Sequence, residues 1–308
     1  MDSLSLAAVS DWRPHAPLQH LSFDWLAGIE LAVLRLDLID PLISGNKWFK
    51  LAPHLRIAAQ QGVSGIISLG GAHSNHLHAL AAAGQRFSFA TVGLLRGQPQ
   101  RTPTVVDLQR FGMQLHWLGY GGYRERHRVD FWAPWHERYP GFCAVPEGGG
   151  GLPGAQGCAD LLALVAEQLP ALGWADYHGW WLAAGTGTTL AGLVIGEDGQ
   201  RIVHGAMAVP LDHGVPEQVQ ALLAQAGLAD AGYRLFGACR GGFARQDAEL
   251  LDFMTQCEIQ SGVPLEPLYT AKALMALREA IAGGVIKAGT RLIFVHTGGL
   301  QGRRAAGC

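Results

Sequence analysis

The sequence predicts an α/β protein of two lobes, each a mainly parallel sheet flanked by helices. Three observations support this. Short apolar runs alternate with longer segments of helical periodicity, the pattern of β-α-β units. The 42 glycines, about double the usual share of roughly 7 %, are spread between the apolar segments, where strand-to-helix turns need them. A length of 308 residues suits one large or two medium domains with ample core.

The elements follow in order. "IELAVLRLD" (29–37) reads as a strand, 46–62 as a helix closed by Gly62, and "GIISLGG" (65–71) as a buried strand. A helix over 74–84 ends at Gly84. "FATVGLLRG" and "MQLHWLG" are strands around a helix near 102–112. Between about 120 and 153 the composition turns to aromatics, charges and prolines and then to "PEGGGGLPG", which predicts a crossing between lobes. Alternation then resumes with a helix over 154–168, strand 180–185, helix 187–196, strand 202–209, helix 215–226 and strand 233–237. Helices near 246–260 and 270–282 precede the last strand, 291–299. The expected division is a larger lobe of residues 1–46 with 146–308 and a smaller lobe of 47–145. No internal repeat is present.

A net charge of -2 gives no basic field for nucleic acid or anionic lipid, so a small-molecule partner is expected. The start, "MDSLSLAAVSDWRPHAP", lacks the pattern of a secretory signal, and no apolar run reaches membrane-spanning length. The expectation is a cytoplasmic protein. Cys143, Cys158, Cys239, Cys257 and Cys308 are scattered without a CxxC pair, which predicts reduced thiols and no zinc site.

Three glycine-bearing strand-to-helix junctions could hold an anion on backbone amides: "LGGAHSNH" (69–76), "AAGTGTTLAG" (183–192) and "HTGGLQG" (296–302). Tight turning alone would also explain the glycines. The second is the best phosphate candidate, because Gly185 and Gly187 free the backbone while Thr186, Thr188 and Thr189 add hydroxyls. It is not a P-loop, since no Lys-Ser or Lys-Thr pair follows at the required spacing.

Only four of the 23 basic residues are lysines, yet "SGNKWFK" (44–50) holds Lys47 and Lys50. Three apart, they share a helix face at a helix start, where cations are electrostatically misplaced. A lysine amine can lose its proton and attack a carbonyl, which arginine cannot do. A pair of solvated surface lysines is the plainer alternative. His73, His76 and His78 suggest a metal, but no acid or cysteine nearby completes a site, so none is expected. Ser74 lacks the GxSxG setting of a hydrolase nucleophile. Asn75 could bond a ligand oxygen or cap its helix.

Taken in order, "SGNKWFKL", "LGGAHSNHLHALAAAG", "PEGG", "AAGTGTTLAGL", "YTAKALMAL" and "HTGGLQG" resemble the signatures of the D-cysteine desulfhydrase and 1-aminocyclopropane-1-carboxylate (ACC) deaminase family of fold type II pyridoxal phosphate enzymes. The resemblance runs from about residue 40 to 302. It implies a tryptophan synthase β-like fold with pyridoxal 5'-phosphate in the cleft between the lobes, and a homodimer.

By that resemblance Lys47 forms an imine with the cofactor and acts as base at the substrate Cα, while Lys50 assists phosphate binding beside residues 185–189. Asn75 would bond the ring oxygen, Ser74 would hold the substrate carboxylate or relay a proton, and His76 would touch substrate. Tyr269 would stack near the ring or supply a hydroxyl. In the deaminases an acid follows the tyrosine and faces the ring nitrogen; here Thr270 stands there and Thr297 lies in "HTGG", the desulfhydrase pattern. Departures are His73, where relatives often carry glutamine, and Leu77-His78 in place of a Thr-Arg pair. The resemblance implies β-elimination from a small amino acid, with D-cysteine as the best substrate. The alternatives are ACC or another β-substituted amino acid, and, from another class, non-catalytic binding of a phosphate ligand.

Overall fold

The fold was taken from a computed structural model that describes Val9 and residues 11–242 and 245–303; Cys308 lies outside the described residues. The chain begins with β1 (Leu18–Leu21), β2 (Glu30–Arg35) and α1 (Lys47–Gln60). There follow β3 (Gly65–Gly70), α2 (Asn75–Phe87), β4 (Ala90–Leu95), α3 (Pro103–Arg110), β5 (Gln114–Trp117), α4 (Gly119–Arg124), α5 (Ala133–Arg138) and β6 (Phe142–Ala144). The second half holds α6 (Gly151–Ala159), α7 (Leu161–Ala166), β7 (Gly179–Ala184), α8 (Thr188–Glu197), β8 (Ile202–Met207), α9 (Val215–Gln225) and β9 (Tyr233–Gly237). It closes with α10 (Ala248–Ser261), α11 (Thr270–Ala282) and β10 (Arg291–His296).

Two sheets result. The larger has the order β1-β2-β10-β7-β8-β9 and is parallel apart from the antiparallel edge strand β1. At its centre Ile293 pairs with Ala32 on one side and Trp180 on the other. The smaller sheet, β5-β4-β3-β6, is parallel throughout. All six residues of β3 and of β7 are buried, as expected of strands covered by helices on both faces.

Three predicted features differ from the structure. β1 was not anticipated: four residues with polar Gln19 and His20 between two leucines give too short a pattern. The stretch 120–153 is a crossing only after Ala144, because β6 pairs with β3 inside the smaller sheet. The segment 123–139, for which the sequence suggests no role, covers that sheet, burying Tyr123 and Phe131 against Ile67, Leu69, Val92 and Leu94. Finally, the helix expected over 154–168 is broken at Asp160 into α6 and α7.

Helix α6 brings the site's elements together. Pro53 inside α1 removes the N–H that would bond the Phe49 carbonyl, and Gly157 of α6 lies against that freed oxygen and the Pro53 ring. On another side of α6, Gly192 of α8 approaches the Ala155 carbonyl as closely. A β-carbon at either glycine would collide with main chain, so glycine is what lets α1, α6 and α8 pack backbone to backbone. Gly157→Ala must push α1 from α6 and is expected to lose on the order of 1–3 kcal/mol in urea unfolding. Gly121→Ala in α4, where an added β-carbon meets nothing within 4 Å, is the control and should leave the midpoint unchanged or slightly raised.

Candidate active site

The site lies where β2, β10 and β7 of the larger sheet and β3 of the smaller end, the crevice in which open α/β sheets bind ligands. The turn before α1 is clamped there. Gly45 N donates to Leu36 O (2.8 Å) and Asn46 N to Thr297 O (3.1 Å). Gly45 and Gly298, at φ 83° and 77°, meet backbone to backbone, and a side chain on either would overlap the other strand's main chain. The Asn46 side chain donates to Thr189 Oγ1 (2.8 Å). "SGN" therefore fixes the entry to α1 against both the end of β10 and the 185–189 turn.

Lys47 and Lys50 occupy the first turn of α1, which carries no acidic residue. Lys47 is half-buried. Lys50 is 1 % exposed, and its Nζ donates to Thr186 Oγ1 (3.2 Å), itself 3.2 Å from Thr188 Oγ1. The glycines of "PEGGGG" wrap Lys50: a β-carbon on Gly149 would lie 3.1 Å from Lys50 Cβ. Burial pushes the pKa of Lys47 down. Burial and then the Lys47 charge push Lys50 further down. Glu147, the acid of the "PEGGGG" turn itself, is engaged elsewhere, accepting from Tyr123 Oη (2.6 Å) and Arg126 Nε (3.0 Å). The Cys158 sulfur would favour the positive charges of the two lysines only as a thiolate, and burial raises its own pKa to about 11, which keeps it a neutral thiol at neutral pH. A buried and a half-buried amine with no carboxylate paired to them among the described residues, beside hydroxyls and the glycine-bearing start of α8, fit an anionic group such as a phosphate.

Ser74 caps α2, its Oγ accepting from Leu77 N (3.1 Å), so its own proton remains to be donated. Asn75 opens the helix, with Oδ1 accepting from Gln301 Nε2 (2.9 Å). The ring of Tyr269 lies over Gly185, where an added β-carbon would be 3.1 Å from Cε1. Burial and then the nearby Glu266 raise the phenol's pKa.

Glu266, which no sequence pattern singles out, is 2 % exposed and organises this corner. Its carboxylate accepts from the main-chain N–H of Leu268, Tyr269 and Thr270 (2.6–2.8 Å) at the start of α11. The Thr270 hydroxyl accepts from Glu266 N (2.8 Å) and is committed there. Thr297 Oγ1 makes no hydrogen bond among the described residues and stays available.

The histidines diverge. His76, expected at the substrate, is 2 % exposed, with Nε2 2.8 Å from Ser68 Oγ, whose hydroxyl donates to Val145 O. Its Nδ1 has no partner among the described residues, and burial followed by the charges of Lys47 and Lys50 pushes its pKa well down, so the ring is neutral. His78 pairs with Asp107 (3.2 Å) across α2 and α3, while His73 is exposed. Among the described residues no three His, Cys, Asp or Glu side chains are grouped to hold a metal.

No family model matches the chain. Over 298 residues it is 26 % identical to a Pyrococcus furiosus protein provisionally named a 1-aminocyclopropane-1-carboxylate deaminase, covering 93 % of this chain and 90 % of that one. It is also 26 % identical, over 89 % of its length and 73 % of the relative's, to the mitochondrial bifunctional D-cysteine desulfhydrase/1-aminocyclopropane-1-carboxylate deaminase of Arabidopsis thaliana. Among solved structures, an ACC deaminase homologue superposes with TM-score 0.80 at 21 % identity, covering 97 % of this chain and 95 % of that one. A hydrogen sulfide-producing enzyme from Fusobacterium nucleatum superposes with TM-score 0.70 at 11 % identity, covering 95 % and 98 %. The fold is therefore that of these proteins, and the family resemblance extends over nearly the whole chain.

Lys50→Met tests the electrostatics. A buried base with a lowered pKa costs stability below its folded value, and the penalty vanishes as pH rises to the ordinary 10.5, because the unfolded chain binds more protons in between. The variant is expected to stabilise the ligand-free protein by on the order of 1 kcal/mol at neutral pH. That gain should shrink as pH approaches 10.5, as read from denaturant midpoints.

Proposed function

We propose that this chain is a pyridoxal 5'-phosphate-dependent lyase that eliminates the β-substituent of a small amino acid. D-cysteine is the favoured substrate, converted with water to pyruvate, hydrogen sulfide and ammonia. The observation that carries the reading is the pair of amines, one half-buried and one buried, set near the 185–189 turn with no carboxylate paired to either among the described residues, one suited to an aldehyde and the other to a phosphate. When bound, the cofactor supplies an aldehyde carbon for amines to condense with and a ring that takes up electrons from the substrate Cα.

The residues divide the remaining work. Burial favours the neutral form of Lys47, which lets it attack a carbonyl and later accept the Cα proton. Lys50, with the hydroxyls of Thr186, Thr188 and Thr189 and the backbone of Gly185 and Gly187, would hold the phosphate. Asn75 would donate Nδ2–H to the ring oxygen, its Oδ1 being taken by Gln301, and Ser74 would donate its hydroxyl proton to the substrate carboxylate. Tyr269, kept protonated by burial and Glu266, supplies a proton to the departing sulfur. Thr297 is the hydroxyl for the ring nitrogen, since Thr270 is spent on Glu266.

That hydroxyl favours desulfhydration over ring opening of ACC. Such a partner would leave the ring nitrogen largely neutral, enough where a C–S bond takes up the electrons, whereas a cyclopropane would call for a stronger sink. ACC stays the second reading because relatives bear that name. A homodimer in the cytoplasm is proposed with the lead reading and rests on the resemblance. Among the described residues no helix is long and apolar enough to cross a membrane.

Purified protein given pyridoxal phosphate should absorb in the visible, bleach with borohydride, and lose both properties in Lys47→Ala. Assayed over D- and L-amino acids and ACC, it should release sulfide and pyruvate in equal amounts from D-cysteine. A colourless protein that ignores the cofactor would sink the reading. Capture needs the neutral amine, so its rate should rise with pH and level off below the ordinary lysine value of 10.5.

A further inference from the structure

We infer that Gln301 is a positioning residue that decides which end of the Asn75 amide faces the cleft, and through it how firmly the cofactor's ring oxygen is held. This rests on the cofactor reading above and adds to it a residue that the reading does not use. A side-chain amide has a donor end and an acceptor end, and turning it by 180° about its last bond exchanges them. In the structure Gln301 Nε2 donates to Asn75 Oδ1 (2.9 Å), which occupies the acceptor end. Asn75 Nδ2 lies against Gly299, where even a β-carbon would come within 2.8 Å of it, so the second glycine of "HTGG" makes room for the donor end. Nδ2 makes no hydrogen bond among the described residues, so its N–H groups remain to be donated. A ring oxygen is an acceptor, and this is the end that it needs.

The contact joins residues 226 apart in sequence and bridges the two lobes. Gln301 sits on the short 3-10 turn Leu300–Gly302 beyond β10, and the next residue, Arg303, anchors that turn to α10 by donating from Nη1 to Glu258 Oε1 (2.7 Å). Asn75 is the first residue of α2 in the smaller lobe. Without Gln301 the amide is free to turn and present a carbonyl oxygen to an oxygen.

A double-mutant cycle of Gln301→Met and Asn75→Ala tests this, reading the dissociation constant for pyridoxal phosphate by fluorescence titration and the melting temperature of the cofactor-free protein. Gln301→Met should weaken the cofactor about tenfold with the melting temperature unchanged. In the Asn75→Ala background it should add nothing, because its effect runs through Asn75. The near-isosteric Gln301→Glu can only accept, so it should draw Nδ2 to itself and weaken the cofactor at least as much; it replaces the methionine variant in the cycle should that variant not fold. Wild-type affinity in both Gln301 variants, or losses that multiply in the double variant, would overturn the inference and leave the cofactor reading standing. A wild-type protein that takes up no pyridoxal phosphate would overturn both.

Discussion

A buried amine and a half-buried one stand three residues apart, with no carboxylate paired to either among the described residues, and much of the architecture around the cleft is explained by that arrangement. Burial, mutual repulsion and the positive end of α1 all act against Lys47 and Lys50. Such a pair persists only if the backbone around it is fixed by other contacts. Those contacts are backbone to backbone: Gly45 on Gly298 at the end of β10, Gly157 of α6 on α1, and Gly192 of α8 on α6. Each uses the missing side chain of a glycine to bring main chains closer than any other residue allows. The high glycine content is thus partly a consequence of placing two amines where solvation would not have put them.

The elements legible in the sequence are those whose signal is local. β3 and β7 are short, mainly apolar runs bounded by glycine, interrupted in β3 by Ser68, as strands buried on both faces tend to be. Lys47, Lys50 and the 185–189 turn could be singled out because lysine is scarce and because glycine and threonine cluster within a few residues. What escaped is what depends on distant partners. Glu266 looks like any acid before a proline, and only the fold shows it closing three main-chain N–H groups at the start of α11. His76 and His73 are three apart near the start of α2, yet one turns inward to Ser68 and the other stays exposed. Helical spacing shows which residues are neighbours; it does not show which side of the helix the other lobe will cover. β6, three residues long, carries too little pattern to be read at all.

The aromatic segment 123–139 illustrates how a stretch with no chemistry of its own still shapes the site. It covers the outer face of the smaller sheet through Tyr123 and Phe131. The same Tyr123, with Arg126, takes both oxygens of Glu147, the residue that opens the glycine turn around Lys50. A carboxylate free to swing towards Lys50 would neutralise it and remove the demand for an anion that the turn at 185–189 is built to meet. By engaging both oxygens of Glu147, the cover leaves Gly148 and Gly149 of "PEGGGG" to lie against Lys50. The packing of the smaller lobe and the charge state of the cleft are therefore linked through one glutamate, and the Tyr123 hydroxyl serves both.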